Sequence, residues 1–259
     1  MNILVVLKMV PDVVEELEVA QDGKALDIEF LRLILSESDD HALEEAILLK
    51  ERHGGKVTVL AMDAPEIDDA LYTALAKGAD RAMKVTAEEL GLGTQAAANI
   101  LAKIIRADES LSQADLILSG TQALDDLDGL VAPMIAQSLG RPYLGIVTAI
   151  SPEGGNRVTV VKEYPDSMRG EFSVTLPAVL GIQAAEKPPR YVPVAKVRAA
   201  MKSLKLETLD APAADGNQAR VEVLALSKPV VSGQAEMLEG AAGEVSAKIC
   251  EILASRGLL

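Results

Sequence analysis

Residues 116–126 (Leu-Ile-Leu-Ser-Gly-Thr-Gln-Ala-Leu-Asp-Asp) join an apolar run to a glycine, a polar turn and two adjacent carboxylates. The apolar run reads as a buried parallel strand, and residues 133–140 (Pro-Met-Ile-Ala-Gln-Ser-Leu-Gly) read as the helix that follows. A strand, a tight loop and a helix start form the crevice in which open α/β sheets bind ligands. Backbone N–H groups at such a helix start face an anion, typically a nucleotide phosphate. The loop from Gly120 to Val131 is therefore the first candidate for the functional site. Asp125 and Asp126 suggest acid–base work, but adjacent residues point different ways, and fixing the loop or capping the helix suits them better.

Other chemistries lack their residues. No GxGxxG follows the first apolar run, and no GxxxxGK[ST] occurs anywhere. His41 and His53 lie near opposite ends of one predicted helix; with a single cysteine and no HExxH, a zinc site has no ligand set. No Gly-x-Ser-x-Gly elbow occurs either. Residues for covalent or hydrolytic catalysis are not visible, so the chain reads as a binding protein rather than an enzyme.

The elements that must position the loop alternate along the chain. Residues 3–7 read as a strand, 39–50 as a helix ended by Gly54-Gly55, and 56–62 as the next strand. Residues 67–77 read as a helix closed by Gly78, 81–85 as a strand, 94–106 as an amphipathic helix and 114–119 as the strand before the loop. This βαβα order predicts an α/β fold: a doubly wound, mostly parallel sheet with helices on both faces. From 145 to 180 the pattern changes to short strands at 147–151, 157–163 and 171–176, a β-meander added to the sheet. The paired prolines of Lys187-Pro-Pro-Arg-Tyr191 force an extended backbone; helical spacing returns at 194–202. Residues 211–218 are turn-rich and read as exposed, and 244–253 read as an amphipathic helix on apolar Val245, Ile249, Ile252 and Leu253. The expected organisation is a nucleotide-binding domain over residues 1–186, then a partner-recognition segment and C-terminal arm over 187–259. The arm's helix packs either on a partner chain or back on its own domain.

Charge and composition narrow the partners. The 25 basic and 39 acidic residues give a net charge of −14, which disfavours nucleic acid, whose binding needs basic patches. No apolar run approaches the roughly 20 residues of a membrane span, so no membrane insertion is expected. The opening Met1–Lys8 reads as a strand rather than a signal peptide. Cys250 has no second cysteine to pair with, and its apolar helical setting predicts a buried residue; a reducing compartment such as the cytoplasm is expected. With two Phe, four Tyr and no Trp, few rings are available to stack on a flavin or adenine. Any planar ligand is left to aliphatic side chains and backbone, or shared with another subunit.

Seven motifs in register carry a resemblance. They are Leu7-Lys8-x-Val10-Pro11-Asp12, Ala42-Leu-Glu-Glu-Ala46, Ala74-Leu-Ala-Lys-Gly-Ala-Asp-Arg81, Gly120-x-Gln122-Ala123-x-Asp125, Leu176-Pro-Ala-Val179, Pro189-Arg-Tyr191 and Ala235-Glu-Met-Leu-Glu-Gly240. In order and spacing the chain resembles the beta subunits of the electron transfer flavoprotein family over essentially its full length. The resemblance implies a Rossmann-like domain of the adenine-nucleotide alpha-hydrolase-like kind, in a heterodimer with an alpha subunit. It implies FAD held mainly by alpha, and AMP or, in electron-bifurcating members, a second FAD in the beta domain. Carried over by position, Val6 and Met62 line the adenine pocket and Ser36 to Asp39 bound the ribose side; Gly120, Thr121, Gln122, Ala123, Asp125, Gly129, Leu130 and Val131 form the phosphate loop. Against this, Val6 and Met62 also read as plain core, and Ser36 and Asp39 as caps of the following helix.

Departures from the family pattern mark what to examine. At the phosphate turn, where the family commonly has Gln, Thr or Val, and Gly, this chain has Leu130, Val131 and Ala132, so side-chain donors are missing. Asp125, Asp126 and Asp128 repel a phosphate unless turned away. The family's Asp-Gly-Gly-x-Glu appears as Asp166-Ser-Met-Arg-Gly-Glu171. The partner segment at Glu186, Lys187, Pro189, Arg190 and Tyr191 follows Ala184-Ala185, without the leucine that the family presents to acyl-CoA dehydrogenases. The resemblance thus implies an electron carrier without substrate chemistry of its own, served by a flavin-dependent dehydrogenase other than a standard acyl-CoA dehydrogenase. Arg190 reads either as a contact for an acidic partner or as an intrachain salt bridge. A nucleotide-sensing homodimer of related fold, without redox work, is the alternative.

Overall fold

A computed structural model describes residues 1–29, 31–87, 93–212, 223–229, 233 and 235–259. In chain order the elements are β1 (Asn2–Leu7), β2 (Met9–Pro11), β3 (Leu33–Leu35), α1 (Glu37–His53), β4 (Lys56–Met62), α2 (Ile67–Lys77), β5 (Arg81–Thr86), α3 (Thr94–Ala107), α4 (Glu109–Ser112) and β6 (Leu116–Gly120). There follow α5 (Val131–Leu139), β7 (Tyr143–Pro152), β8 (Arg157–Glu163), β9 (Arg169–Thr175), β10 (Ala178–Ile182), α6 (Val194–Ser203), β11 (Glu207–Asp210) and α7 (Ala242–Ser255).

Nine strands form one sheet in the order β11-β5-β4-β1-β6-β10-β7-β8-β9, with β2 and β3 a separate antiparallel pair. Every pairing from β11 to β7 is parallel; β8 and β9 continue it as an antiparallel meander. The period-2 alternation of a strand divides β1 between two cores. Ile3, Val5 and Leu7 join Leu43 and Ile47 of α1 and Leu71 of α2 on one face, while Leu4 and Val6 join Leu101 and Ile105 of α3 and Ile135 of α5 on the other. Each fully buried side chain of this size contributes about 1.5–3 kcal/mol of apolar burial, so helices on both faces are required to cover the sheet.

The doubly wound parallel sheet with an added meander is as expected. Three features differ from the sequence reading. β10, five buried residues after Pro177, inserts between β6 and β7 rather than extending the meander. β11 extends the opposite edge beside β5, although Glu207 and Asp210 break its apolar pattern. α5 starts at Val131, two residues before Pro133, because a proline in the first helical turn removes an N–H that the helix cannot use.

The expected turn at 211–218 falls, from residue 213 on, outside the described residues. Further along the arm, Leu226 N donates to Gly23 O at 2.7 Å and Lys228 pairs with Glu18 at 2.6 Å, so this stretch lies back on its own chain. α7 does not: none of its residues is buried. Cys250 is therefore exposed, contrary to the buried position expected of it, because none of the described residues buries the helix that carries it. Among the described residues no helix is long and apolar enough to cross a membrane, and no three His, Cys, Asp or Glu are grouped to hold a metal ion.

Candidate functional site

From β1 the chain passes through α1 to β4 on one side, and later returns through α3 and α4 to β6 on the other. β1 and β6 are thus adjacent parallel strands whose connections diverge, the topological switch point of the sheet. A narrow cleft opens at their C-terminal ends, the place where open α/β sheets bind ligands. Val6 lines it from β1, Gly120 from the end of β6, and Ser36 and Asp39 from the start of α1. Thr121, Gln122 and Ala123 line it from the loop, and Gly129, Leu130 and Val131 from the entry to α5. Two of the expected site residues lie apart from it. Met62 packs into the core on the α3 and α5 face, and Asp125 faces Lys8 at the loop's edge.

Asp39 ties the two strand ends together. Its Oδ2 accepts the Lys8 backbone N–H at 2.9 Å, while its Oδ1 accepts the Gly120 N–H at 2.6 Å and the Ser119 hydroxyl at 3.4 Å. The residue is 4 % exposed. Burial pushes its carboxyl up to about 7, against the N–H groups of Gly120 and Lys8 and the Lys8 charge, which favour ionisation. It is thus a brace rather than the helix cap expected from its position. Ser36 does occupy the N-cap position, but its side chain makes no capping bond and instead lies 3.3 Å from Ser38 Oγ. Gly120 is required where it stands, since a Cβ there would come within 2.1 Å of Ser38 Oγ and 2.8 Å of Asp39 Oδ1.

The loop is held by its own acids. Lys8 Nζ lies 2.7 Å from Asp125 Oδ1 and 2.6 Å from Asp126 Oδ2. Burial alone would lower the Lys8 pKa, but its hydrogen bonds to Asp125 and Asp126 and their charges raise it. Asp126 Oδ1 accepts the Asp128 N–H at 3.2 Å, and Asp128 Oδ1 accepts the Leu130 N–H at 2.9 Å. Ser38 donates to Gln122 O at 2.8 Å, and the Gln122 side-chain amide donates to Leu127 O. These bonds lead the chain into α5, whose first N–H groups on Val131 and Ala132 have no acceptor within the helix. Pro133 carries no N–H at all. Among the described residues lining this opening the one ammonium, that of Lys8, is already paired, so backbone N–H groups and the hydroxyls of Ser36 and Thr121 are donors open to an anion. Lys8, Ser38, Ser119 and Asp126 complete the site; their one sequence signal is that each adjoins the end of an apolar strand or the turn after it.

Comparison with known proteins decides the family. The family model described as the electron transfer flavoprotein domain matches residues 28–228. "Electron transfer flavoprotein subunit beta" of Thermoanaerobacterium thermosaccharolyticum is 33% identical, over 100% of both chains. The protein of the same name from Methylophilus methylotrophus is 29% identical over 98% of both chains, and that from Clostridium acetobutylicum 34% over 81% of this chain and 79% of its own. The chain belongs to the electron transfer flavoprotein family, among its beta subunits.

In this family member the segment expected to meet partners is mounted on α1. Three side chains of the helix accept its backbone N–H groups: His41 Nδ1 from Ala185 at 3.1 Å, Glu45 Oε2 from Glu186 at 3.1 Å and Glu44 Oε2 from Arg190 at 3.0 Å. The Arg190 guanidinium also grips Glu44 at 2.8 Å and Glu51 at 2.6 Å. These hydrogen bonds and charges raise its already high pKa further. Of the two readings of Arg190, the structure contains the intrachain ion pair. Glu186 pairs with Arg52 at 2.6 Å, Lys187 is exposed and Pro189 half-buried. Tyr191, by contrast, stands 84 % exposed. Glu45 is buried with Oε1 unpartnered, and burial pushes its carboxyl up to about 7.

Proposed function

We propose that the chain is the beta subunit of a heterodimeric electron transfer flavoprotein, relaying electrons from a flavin-dependent dehydrogenase through FAD held mainly by an alpha subunit. Family membership supports the flavin. The observation that carries a nucleotide role for this subunit is the cleft at the switch point between β1 and β6. Its donor set suits an adenine nucleotide: the buried Val6 offers an aliphatic wall, Gly120–Ala123 offer peptide groups, and Val131 and Ala132 offer unpaired N–H groups to one phosphate. AMP, or the adenylate part of a second FAD, would be held by these residues. Bound there, AMP supplies no redox chemistry, whereas a flavin supplies one- and two-electron transfer. The chain's own residues bind and orient: Asp39 fixes the floor, and Lys8 holds Asp125 and Asp126 beside the cleft, whose lining includes Asp126 and Asp128.

On this reading the protein works in the cytoplasm and is not itself an enzyme. Lys8 offsets one of the two charges of Asp125 and Asp126, and Asp128 uses one carboxylate oxygen on Leu130 N, so the N–H groups at the start of α5 must outweigh the negative charge that remains. The segment 186–191 meets the donor, and the absent leucine sets a donor other than a standard acyl-CoA dehydrogenase. The test is co-expression with the alpha subunit, purification and identification of released nucleotides. One FAD and one AMP per heterodimer is the expected result; two FAD would make the beta site redox-active. No complex and no flavin would overturn the relay and favour a nucleotide-binding homodimer.

A further inference from the structure

Helix α1 buries two adjacent glutamates, Glu44 at 2 % and Glu45 at 1 % exposure. A buried carboxylate is costly unless it is paired, and an unpaired one takes up a proton instead. Glu44 is paired, with the guanidinium and the backbone N–H of Arg190. Glu45 is not. Its Oε2 accepts the Glu186 N–H at 3.1 Å, but its Oε1 is buried with no hydrogen-bond partner among the described residues. The Arg52 guanidinium, whose charge favours ionisation of Glu45, is itself bonded to Glu186 at 2.6 Å.

The charged and titratable groups around Glu45 are few. Its own helix supplies His41, Glu44 and Arg52, and the segment that covers it supplies Glu186, Lys187 and Arg190. Of the strands beneath the helix, β1, β6, β7 and β10 carry no charged residue, and β4 carries only Lys56, which is exposed. Burial is the main influence that pushes the Glu45 carboxyl up to about 7, with the Glu186 charge acting in the same sense and the N–H groups of Glu186 and Ile150 against it.

We propose that Glu45 is a proton-operated latch: with a proton on Oε1 it lets the segment 184–190 close over α1, and on losing that proton it releases the segment. Once ionised, Oε1 is a bare negative oxygen in an apolar setting, and moving the segment away is what admits water to it. His41 acts in the opposite sense. Its Nδ1 accepts the Ala185 N–H, so a proton on that nitrogen breaks the bond on acidification, and a loosening on alkalinisation belongs to Glu45. Where this segment meets the donor, as the relay reading holds, docking becomes linked to a proton; the latch itself does not depend on that reading.

The test is amide hydrogen exchange of the full-length chain, alone or with its alpha subunit, between about pH 6 and about pH 8.5, corrected for the intrinsic pH dependence of exchange. Protection of peptides covering 184–190 should fall about tenfold or more over this range, because opening exposes a carboxyl that then ionises at its ordinary value. In Glu45→Gln, which keeps an acceptor for the Glu186 N–H and cannot ionise, protection of the same peptides should stay within about twofold. Flat protection in the original chain, or an equal fall in both proteins, would overturn the proposal. Should Glu45→Gln fail to fold, the carboxyl-carbon resonance of Glu45 in the original chain decides instead: it must titrate with the same midpoint as the loss of protection, and a different midpoint overturns the latch. Absence of flavin, or of reduction by a flavin dehydrogenase, would sink the relay reading and leave this exchange pattern unchanged, so the two fail separately.

Discussion

At the residue scale Asp39 dominates the cleft, and its burial has a pH signature. With its folded pKa raised to about 7, the folded chain binds a proton more tightly than the unfolded one, whose aspartate keeps its usual value near 4. Between those values the folded state holds more protons, so stability falls as pH rises through the window. Glu45, also raised to about 7, acts in the same direction. Urea unfolding should therefore give lower stability at about pH 8 than at about pH 5, with a smaller difference in Asp39→Asn, which no longer titrates. An equal fall in both proteins would place the titration elsewhere. At Gly120 the expected effect is steric: Gly120→Ala forces its methyl into Ser38 and Asp39. It should cost about 1–3 kcal/mol and abolish nucleotide retention, read by thermal unfolding and nucleotide release. Gly120 and Val131 were legible because an apolar run that ends at a glycine and a polar turn has one usual meaning in an α/β chain. Lys8 was not, since its partners lie 117 and 118 residues away. Met62 lies outside the cleft lining because β4 is beyond β1, one strand away from the switch point.

At the element scale α1 does two jobs, and both depend on carboxylates set among apolar residues. Its first turn braces the cleft through Asp39, while Glu44 and Glu45, buried between Leu43 and Ile47, hold the segment that leads to α6. Removing one member of such a buried pair leaves an uncompensated charge, which costs more than removing both. Arg190→Ala should accordingly destabilise by about 2–4 kcal/mol, and adding Glu44→Ala should recover part of that loss; denaturant titration of the single and double variants checks it. If the double variant is worse by the sum of the two single losses, the carboxylate is not paying a burial penalty. The same helix shows what the sequence could reveal. Its length, acidic start and glycine stop were plain, and so were β4 and α2, because each is a long periodic stretch with a clear end. β10 was hidden: five apolar residues after a proline carry no period that separates strand from loop, and their place between β6 and β7 is a tertiary fact. β11 was hidden by its charges, since an edge strand needs only one covered face.

For the whole molecule, the two ends of the chain serve different purposes. The sheet and helices α1 to α5 form the two cores, whereas α7 contributes no buried residue to either. Its Ile249 and Ile252 stand 44 % and 36 % exposed and its Val245 and Leu253 are half-buried, so the amphipathic helix leaves much of its apolar stripe uncovered by the described residues. Apolar burial is the main source of stability, and a helix that buries nothing adds little beyond its own marginal propensity. Deleting residues 242–259 should therefore shift the Tm of the isolated chain by no more than about 2 °C, a change of roughly 0.5–1 kcal/mol at this size. In the heterodimer the expectation reverses. If the stripe packs on the alpha subunit, as the organisation of this arm suggests, the same deletion should weaken assembly at least about tenfold, some 1.4 kcal/mol, read by sedimentation of the mixed subunits. A deletion that unfolds the isolated chain would show that α7 belongs to its own domain. One that leaves both the chain and the heterodimer untouched would leave the exposed stripe without a role in this assembly, and the contact with alpha would have to lie elsewhere on the subunit.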